Sequence, residues 1–166
     1  MKKAFFLLLM FCCSASVYAQ DGKYAGSMKF LIGKTYLDTG RIKNLATWEF
    51  REGSLLTHPD DPEVIIASVY KKGTTWVAIL AVKEDTALHE YTIADVLEVK
   101  NVPSTRYLMT GICRSYKQED VEIVALVRIT HAASYPAIKA WRFNRDKKRI
   151  QLVAASTVDC LSEGGD

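Results

Sequence analysis

The chain has 166 residues, 49% of them hydrophobic and 25% charged, with 22 Lys+Arg against 19 Asp+Glu. That length suits a single domain burying roughly 68–70% of its unfolded surface. So small a charge surplus, with no basic stripe, excludes the electrostatic footprint of a nucleic-acid binder.

The opening MKKAFFLLLMFCCSASVYAQ has the layout of an export signal. Lys2 and Lys3 provide the positive start, Ala4 to Cys13 the short apolar stretch, and Val17-Tyr18-Ala19 a small-x-small cleavage site. Cleavage is expected between Ala19 and Gln20, leaving one β-rich domain over 20–166 whose tail, 162–166, frays. About ten apolar residues fall well short of the roughly 20 that a spanning helix needs. No later stretch is long enough either, so the mature chain is expected to have no transmembrane span and to be periplasmic or secreted. Cys12 and Cys13 lack the small residue before them and the Leu-like residue three before them that a lipid-attachment site uses. Loss of Lys2 and Lys3 leaves the mature chain close to neutral.

The first element is read from GSMKFLIGKTY, Gly26 to Tyr36, which ends in the Gly-Lys-Thr of a phosphate loop. A Walker A loop spaces its glycines by four residues so that the intervening N–H groups curl around phosphate. Here Gly26 and Gly33 enclose six, and Phe30-Leu31-Ile32 is a strand pattern. An exported protein also meets no nucleotide pool. The expectation is a strand over Lys29–Tyr36, interrupted at Gly33, with no nucleotide and no other cofactor.

Gly40–Trp48 sets Ile42 and Leu45 three apart, as in a short helix, and Thr47–Phe50 reads as a short strand. HPDDPE, His58–Glu63, is the densest cluster of oxygen ligands, with Asp60, Asp61 and Glu63 available to a hard cation. Its bracketing prolines and the lack of an EF-hand pattern make it a rigid turn instead. Val64–Tyr70 and Trp76–Val82 are β-branched and aromatic runs about the Gly-bearing turn Lys71–Thr75, a hairpin. Both runs are apolar on both faces, which places them centrally, covered on each side. Residues 86–100 fit either element: alternation holds to Ile93, yet Ile93, Val96 and Leu97 also make a helical face.

Tyr107–Ile112 is a short strand, and Lys117–Asp120 is a solvated turn before the strand Val121–Ile129. In that strand Val121, Ile123, Ala125, Val127 and Ile129 share one face, while Glu122 and Arg128 flank Val124 and Leu126 on the other. Ile138–Phe143 and Arg149–Ala155 form a second hairpin about a charged, solvated turn. Strands joined by short turns build antiparallel sheet, and no strand-then-long-helix rhythm appears. The fold class expected is mainly β, a single antiparallel sandwich or partly open barrel with at most one or two short helices. The alternative is α+β, with one helix on a curved antiparallel sheet.

Cleavage leaves two cysteines, Cys113 and Cys160, expected to pair in an oxidising compartment. Arg114 would favour a Cys113 thiolate, but no C-x-x-C motif accompanies it. His58, His89 and His131 share no metal-ligand spacing, so no metal site is expected. There is no G-x-S-x-G elbow. Trp48, Trp76 and Trp141 sit in strand-like or amphipathic runs and read as packing. Tyr135-Pro136 with Arg142 and Arg145 supplies the residue types of a binding hot spot. Together these features point to a small exported binding or inhibitory module, acting on a protein or an envelope component such as a glycan. An inhibitor of a wall-degrading enzyme exemplifies that class. An envelope-polymer hydrolase with a site assembled only in the fold, and a structural part of an envelope assembly, are the alternatives.

Overall fold

The computed structural model describes residues 23–37, 42–58, 60–83 and 90–162. Among the described residues twelve strands run in chain order: β1 Thr35–Leu37, β2 Glu49–Leu55, β3 Val64–Lys72, β4 Thr75–Lys83, β5 Glu90–Val99, β6 Arg106–Thr110, β7 Cys113–Ser115, β8 Gln118–Glu119, β9 Ile123–Arg128, β10 Ser134–Asn144, β11 Arg149–Val153 and β12 Val158–Leu161. Among the described residues helix is confined to three 3-10 turns, Gly26–Leu31, Lys43–Leu45 and Ala155–Thr157. The fold is mainly β, as the sequence leads one to expect.

All strand pairings are antiparallel, and they form two sheets. The first has the order β1-β5-β4-β3-β2. In the second the order is β6-β9-β10-β12-β7-β8, with β11 also on β10. β11 and β12 share one edge of β10, β11 beside its end and β12 beside its start. The last 3-10 turn takes up the slack between them. The second sheet thereby curls into a half-barrel.

The expected central hairpin is β3–β4, whose two-residue turn puts Gly73 at φ +58°. A left-handed first turn residue followed by an ordinary one matches the twist of the flanking strands. Along β4 the even-numbered Trp76, Ala78, Leu80 and Val82 face the second sheet, and Val77, Ile79 and Ala81 face outward. All seven are buried. β9 is used the same way, with Val124 and Leu126 between the sheets and Ile123, Ala125 and Val127 inside the half-barrel. There are therefore three apolar layers, one between the sheets and one outside each.

Of residues 86–100, 86–89 lie outside the described residues and Glu90–Val99 is strand, and the mixed periodicity has a physical origin. The β4–β5 register steps from Leu80 opposite Asp95 to Ala81 opposite Ile93, which leaves Ala94 as an extra residue. Such a bulge shifts the alternation by one. Tyr91, Ile93 and Val96 then share one face, and the three-residue step from Ile93 to Val96 imitates a helix.

One expectation is corrected. Gly26–Leu31 is a 3-10 helix, and the strand begins only at Thr35. Ala25, Met28 and Leu31 recur at every third residue, the 3-10 period. Ala25 and Leu31 are buried and Met28 half-buried against the outer face of the first sheet, while Phe30 is exposed. The second 3-10 turn repeats the device with Ile42, Leu45 and Trp48. Of the tail, Ser162 N–H donates to Ala133 O at 3.0 Å, and 163–166 lie outside the described residues.

Candidate functional site

Cys113 and Cys160 are opposite each other on β7 and β12 and form a disulfide, with Cα atoms 3.8 Å apart. Both are buried inside the half-barrel beside Ile123 and Ala125. Arg114, next in the chain, is committed to Asp159 through two hydrogen bonds, of 3.2 and 2.5 Å. Burial pushes the Asp159 carboxyl up. Hydrogen bonds from Arg114, Lys117 and Ser134 outweigh that effect and hold it at about 2. The cysteine pair and its charges are a fastening. Ala19, Gln20 and His89 lie outside the described residues.

The Gly33-Lys34-Thr35 tripeptide leads out of the first 3-10 helix onto β5, where Gly33 N–H donates to Ile93 O and Lys34 O accepts from Ile93 N–H. Its backbone is consumed in sheet. Of HPDDPE, Pro59 lies outside the described residues, and His58 and Asp61 are tied as in a turn, with Asp61 Oδ2 accepting from His58 N–H at 2.8 Å. Asp61 also pairs with Arg145 at 3.3 Å, and Glu63 with Lys148 at 2.9 Å. A cleft of about 330 Å³ lies over these pairs. Among the described residues no three His, Cys, Asp or Glu side chains converge as metal ligands would.

Lys117–Asp120 is more than a solvated turn. Tyr116 and Lys117 both have positive φ, +51° and +68°, and make the two-residue loop between β7 and β8. Lys117 reaches Asp159, and Asp120 pairs with Arg142. Arg142 and Arg145 are further tied to Glu122, at 3.1 and 2.6 Å. Tyr135 lies at the other end of β10, about seven residues or ~23 Å from Arg142, so the expected Tyr/Arg patch is not assembled.

The feature that sequence reading missed is a groove of about 670 Å³ where the two sheets splay. One wall is the end of β5, Leu97 to Val99, with Lys100. The other is the middle of β10 with the end of β11, and Lys23, Tyr24 and Gly26 close one side. Asp95 pins the sheets together at the inner end, accepting from its own Val96 N–H and from Ile150 N–H of β11, each at 2.8 Å. On the core side of β11, Ile150 is 4% exposed but Leu152 is 59% exposed. Leu152 is the cross-strand partner of Trp141, so the two side chains project on one face.

Trp141 is 4% exposed, lines the groove, and meets Tyr24 edge-to-face at 6.4 Å. Its Nε1–H is buried and has no partner among the described residues. Buried polar groups are nearly always paired, and an orphan costs about 1–3 kcal/mol. At the rim stand Lys23, Lys100 and Lys139, all exposed. Glu98, the acid of the lining, has a side chain only 3% exposed. It accepts from Ser27 N–H and Ser27 Oγ–H at 2.7 Å each and pairs with Lys100 at 3.4 Å. Gly26, at φ +51°, makes this possible, since a Cβ there would sit 2.1 Å from Glu98 Oε2.

Fold and groove together define a disulfide-tied antiparallel β sandwich with an open, largely apolar edge. Compared with protein-family models, with curated proteins and with solved structures, the chain matches none. No helix among the described residues is long and apolar enough to cross a membrane.

Proposed function

We propose that the protein is an exported binding module and that the groove between β5, β10 and β11 is where it receives an envelope component. The observation that carries this reading is Trp141, a residue that lines a groove of about 670 Å³ and whose buried Nε1–H has no partner among the described residues. Clefts of roughly 300–1,000 Å³, mostly apolar with a few placed polar groups, are the usual form of a small-ligand site. The export-signal pattern at Lys2–Ala19 and the Cys113–Cys160 disulfide support an oxidising compartment as its place of work. Asp61, Glu63, Asp120 and Glu122 are each paired to Arg or Lys, and this favours binding over hydrolysis.

The test is to immobilise mature protein from Gln20 onward, pass over it a delipidated and a total envelope extract, and compare wild type with Leu152→Asp. Wild type should retain a component that the variant releases, unaltered in mass. Turnover of a wall polymer by wild type, or retention indifferent to Leu152, overturns the proposal.

A further inference from the structure

Building on that reading of the groove, we infer that it takes a single-chain acyl amphiphile with an anionic head, its carbonyl meeting Trp141 and its charge meeting the lysines. Tyr24, Leu97, Val99 and Leu152 offer apolar wall to a chain. Leu152, at 59% exposure, sits beside a buried tryptophan, where an apolar occupant would remove it from water.

Polarity narrows the choice. Trp141 Nε1–H is a donor and never an acceptor, so the buried part of the ligand must bring an acceptor. Lys23 and Lys139 ask for a negative charge at the rim, where Lys100 is already paired with Glu98. A sugar would need acceptors for its hydroxyl protons, and Glu98 is already spent on Ser27 and Lys100. A peptide strand would need an open sheet edge, and on β5 the Glu98 N–H is taken by Tyr24 O at 2.8 Å. An ester carbonyl a few atoms from a phosphate meets both requirements at once, the carbonyl inside and the charge outside.

Three probes of equal chain length separate these contributions below their micellar concentrations. Lauroyl lysophosphatidylglycerol carries carbonyl and charge, monolaurin the carbonyl alone, and dodecyl phosphate the charge alone. Binding is read from the Trp141 indole N–H signal in a nitrogen–proton spectrum, assigned by its absence in Trp141→Phe. The lysolipid should bind about five- to tenfold more tightly than dodecyl phosphate, the worth of one hydrogen bond. Trp141→Phe, which keeps an aromatic wall, should erase that margin, and salt should weaken the lysolipid but not monolaurin.

Equal affinity for dodecyltrimethylammonium, or an unmoved Trp141 signal with all three probes, overturns the inference. So does a Trp141 signal that shifts when Gln20 to Gly22 are deleted while lipids have no effect, since the mature N-terminus would then be the occupant. So does a dimer that Leu152→Asp dissociates. Should the probes fail while the envelope extract still yields a component lost in Leu152→Asp, the ligand class falls and the binding module stands. Failure of both removes both.

Discussion

The two sheets meet the same difficulty and solve it differently. β4 and β9 are each apolar on both faces, so each needs cover beyond the layer between the sheets. On the first sheet the cover is local: the 3-10 turns Gly26–Leu31 and Lys43–Leu45 lay Ala25, Leu31, Ile42 and Leu45 over Val77, Ile79 and Val96. On the second the sheet covers itself, curling until β12 and β7 enclose Ile123, Ala125 and Val127, and a covalent bond holds the curl. Two short helical turns bring few hydrogen bonds of their own and depend on the apolar side chains they plant. A pair of strands three and four residues long is no better off alone, and the cystine compensates for its shortness.

The comparison is broken most severely by removing the staple. Cys113→Ala with Cys160→Ala opens a loop spanning 47 residues, and chain entropy puts the loss at about 4 kcal/mol. At about 2–4 °C per kcal/mol for a chain of this size, Tm should fall by about 8–16 °C. Amide exchange should accelerate along β7 and β12 and stay slow along β4. A variant that melts within about 2 °C of wild type would show that the curl holds itself.

Leu45→Ala attacks the other cover. Leu45 is 2% exposed, and truncating a buried leucine costs about 2–5 kcal/mol; the low end, about 2–3, is expected because a short lid can collapse into the space. Denaturant unfolding measures the loss. Exchange should now quicken around 42–48 and leave the half-barrel unchanged, the reverse of the cysteine variant. A loss spread over both regions would mean that the layers are one cooperative unit.

The smallest effect comes from acid. Asp159 is held at about 2 against an ordinary 3.8, so between those values the unfolded chain binds the proton and the folded chain does not. The stability that Asp159 lends is therefore complete above the ordinary value and is lost as pH falls through 3.8 toward 2. Asp159→Asn should be less stable than wild type at neutral pH and should converge with it in acid. A constant gap across that range would assign the cost of Asp159→Asn to packing instead.

Much of this architecture can be read along the chain, and where it cannot the reasons are specific. Val64–Tyr70 with Trp76–Val82, and Ile138–Phe143 with Arg149–Ala155, announce their hairpins because turn chemistry and period-two patterning are properties of neighbours. The first 3-10 helix is read as strand because Phe30-Leu31-Ile32 are strand-forming residues that cover the three-residue period of Ala25, Met28 and Leu31. The bulge at Ala94 hides β5, because one extra residue converts alternation into an apparent helical step.

The sequence by itself determined the class of fold, the central strands, the cysteine pair and the turn nature of His58–Glu63, since each depends on local pattern or on a small count. Only the tertiary structure decided that Trp141 and Leu152 become neighbours on one face, one buried and one exposed. It also decided that the N–H of Trp141, a groove-lining residue, finds no partner among the described residues. Both outcomes depend on where the first sheet stops covering the second. Coverage is set by the splay of two sheets far apart in sequence, and no local pattern encodes it.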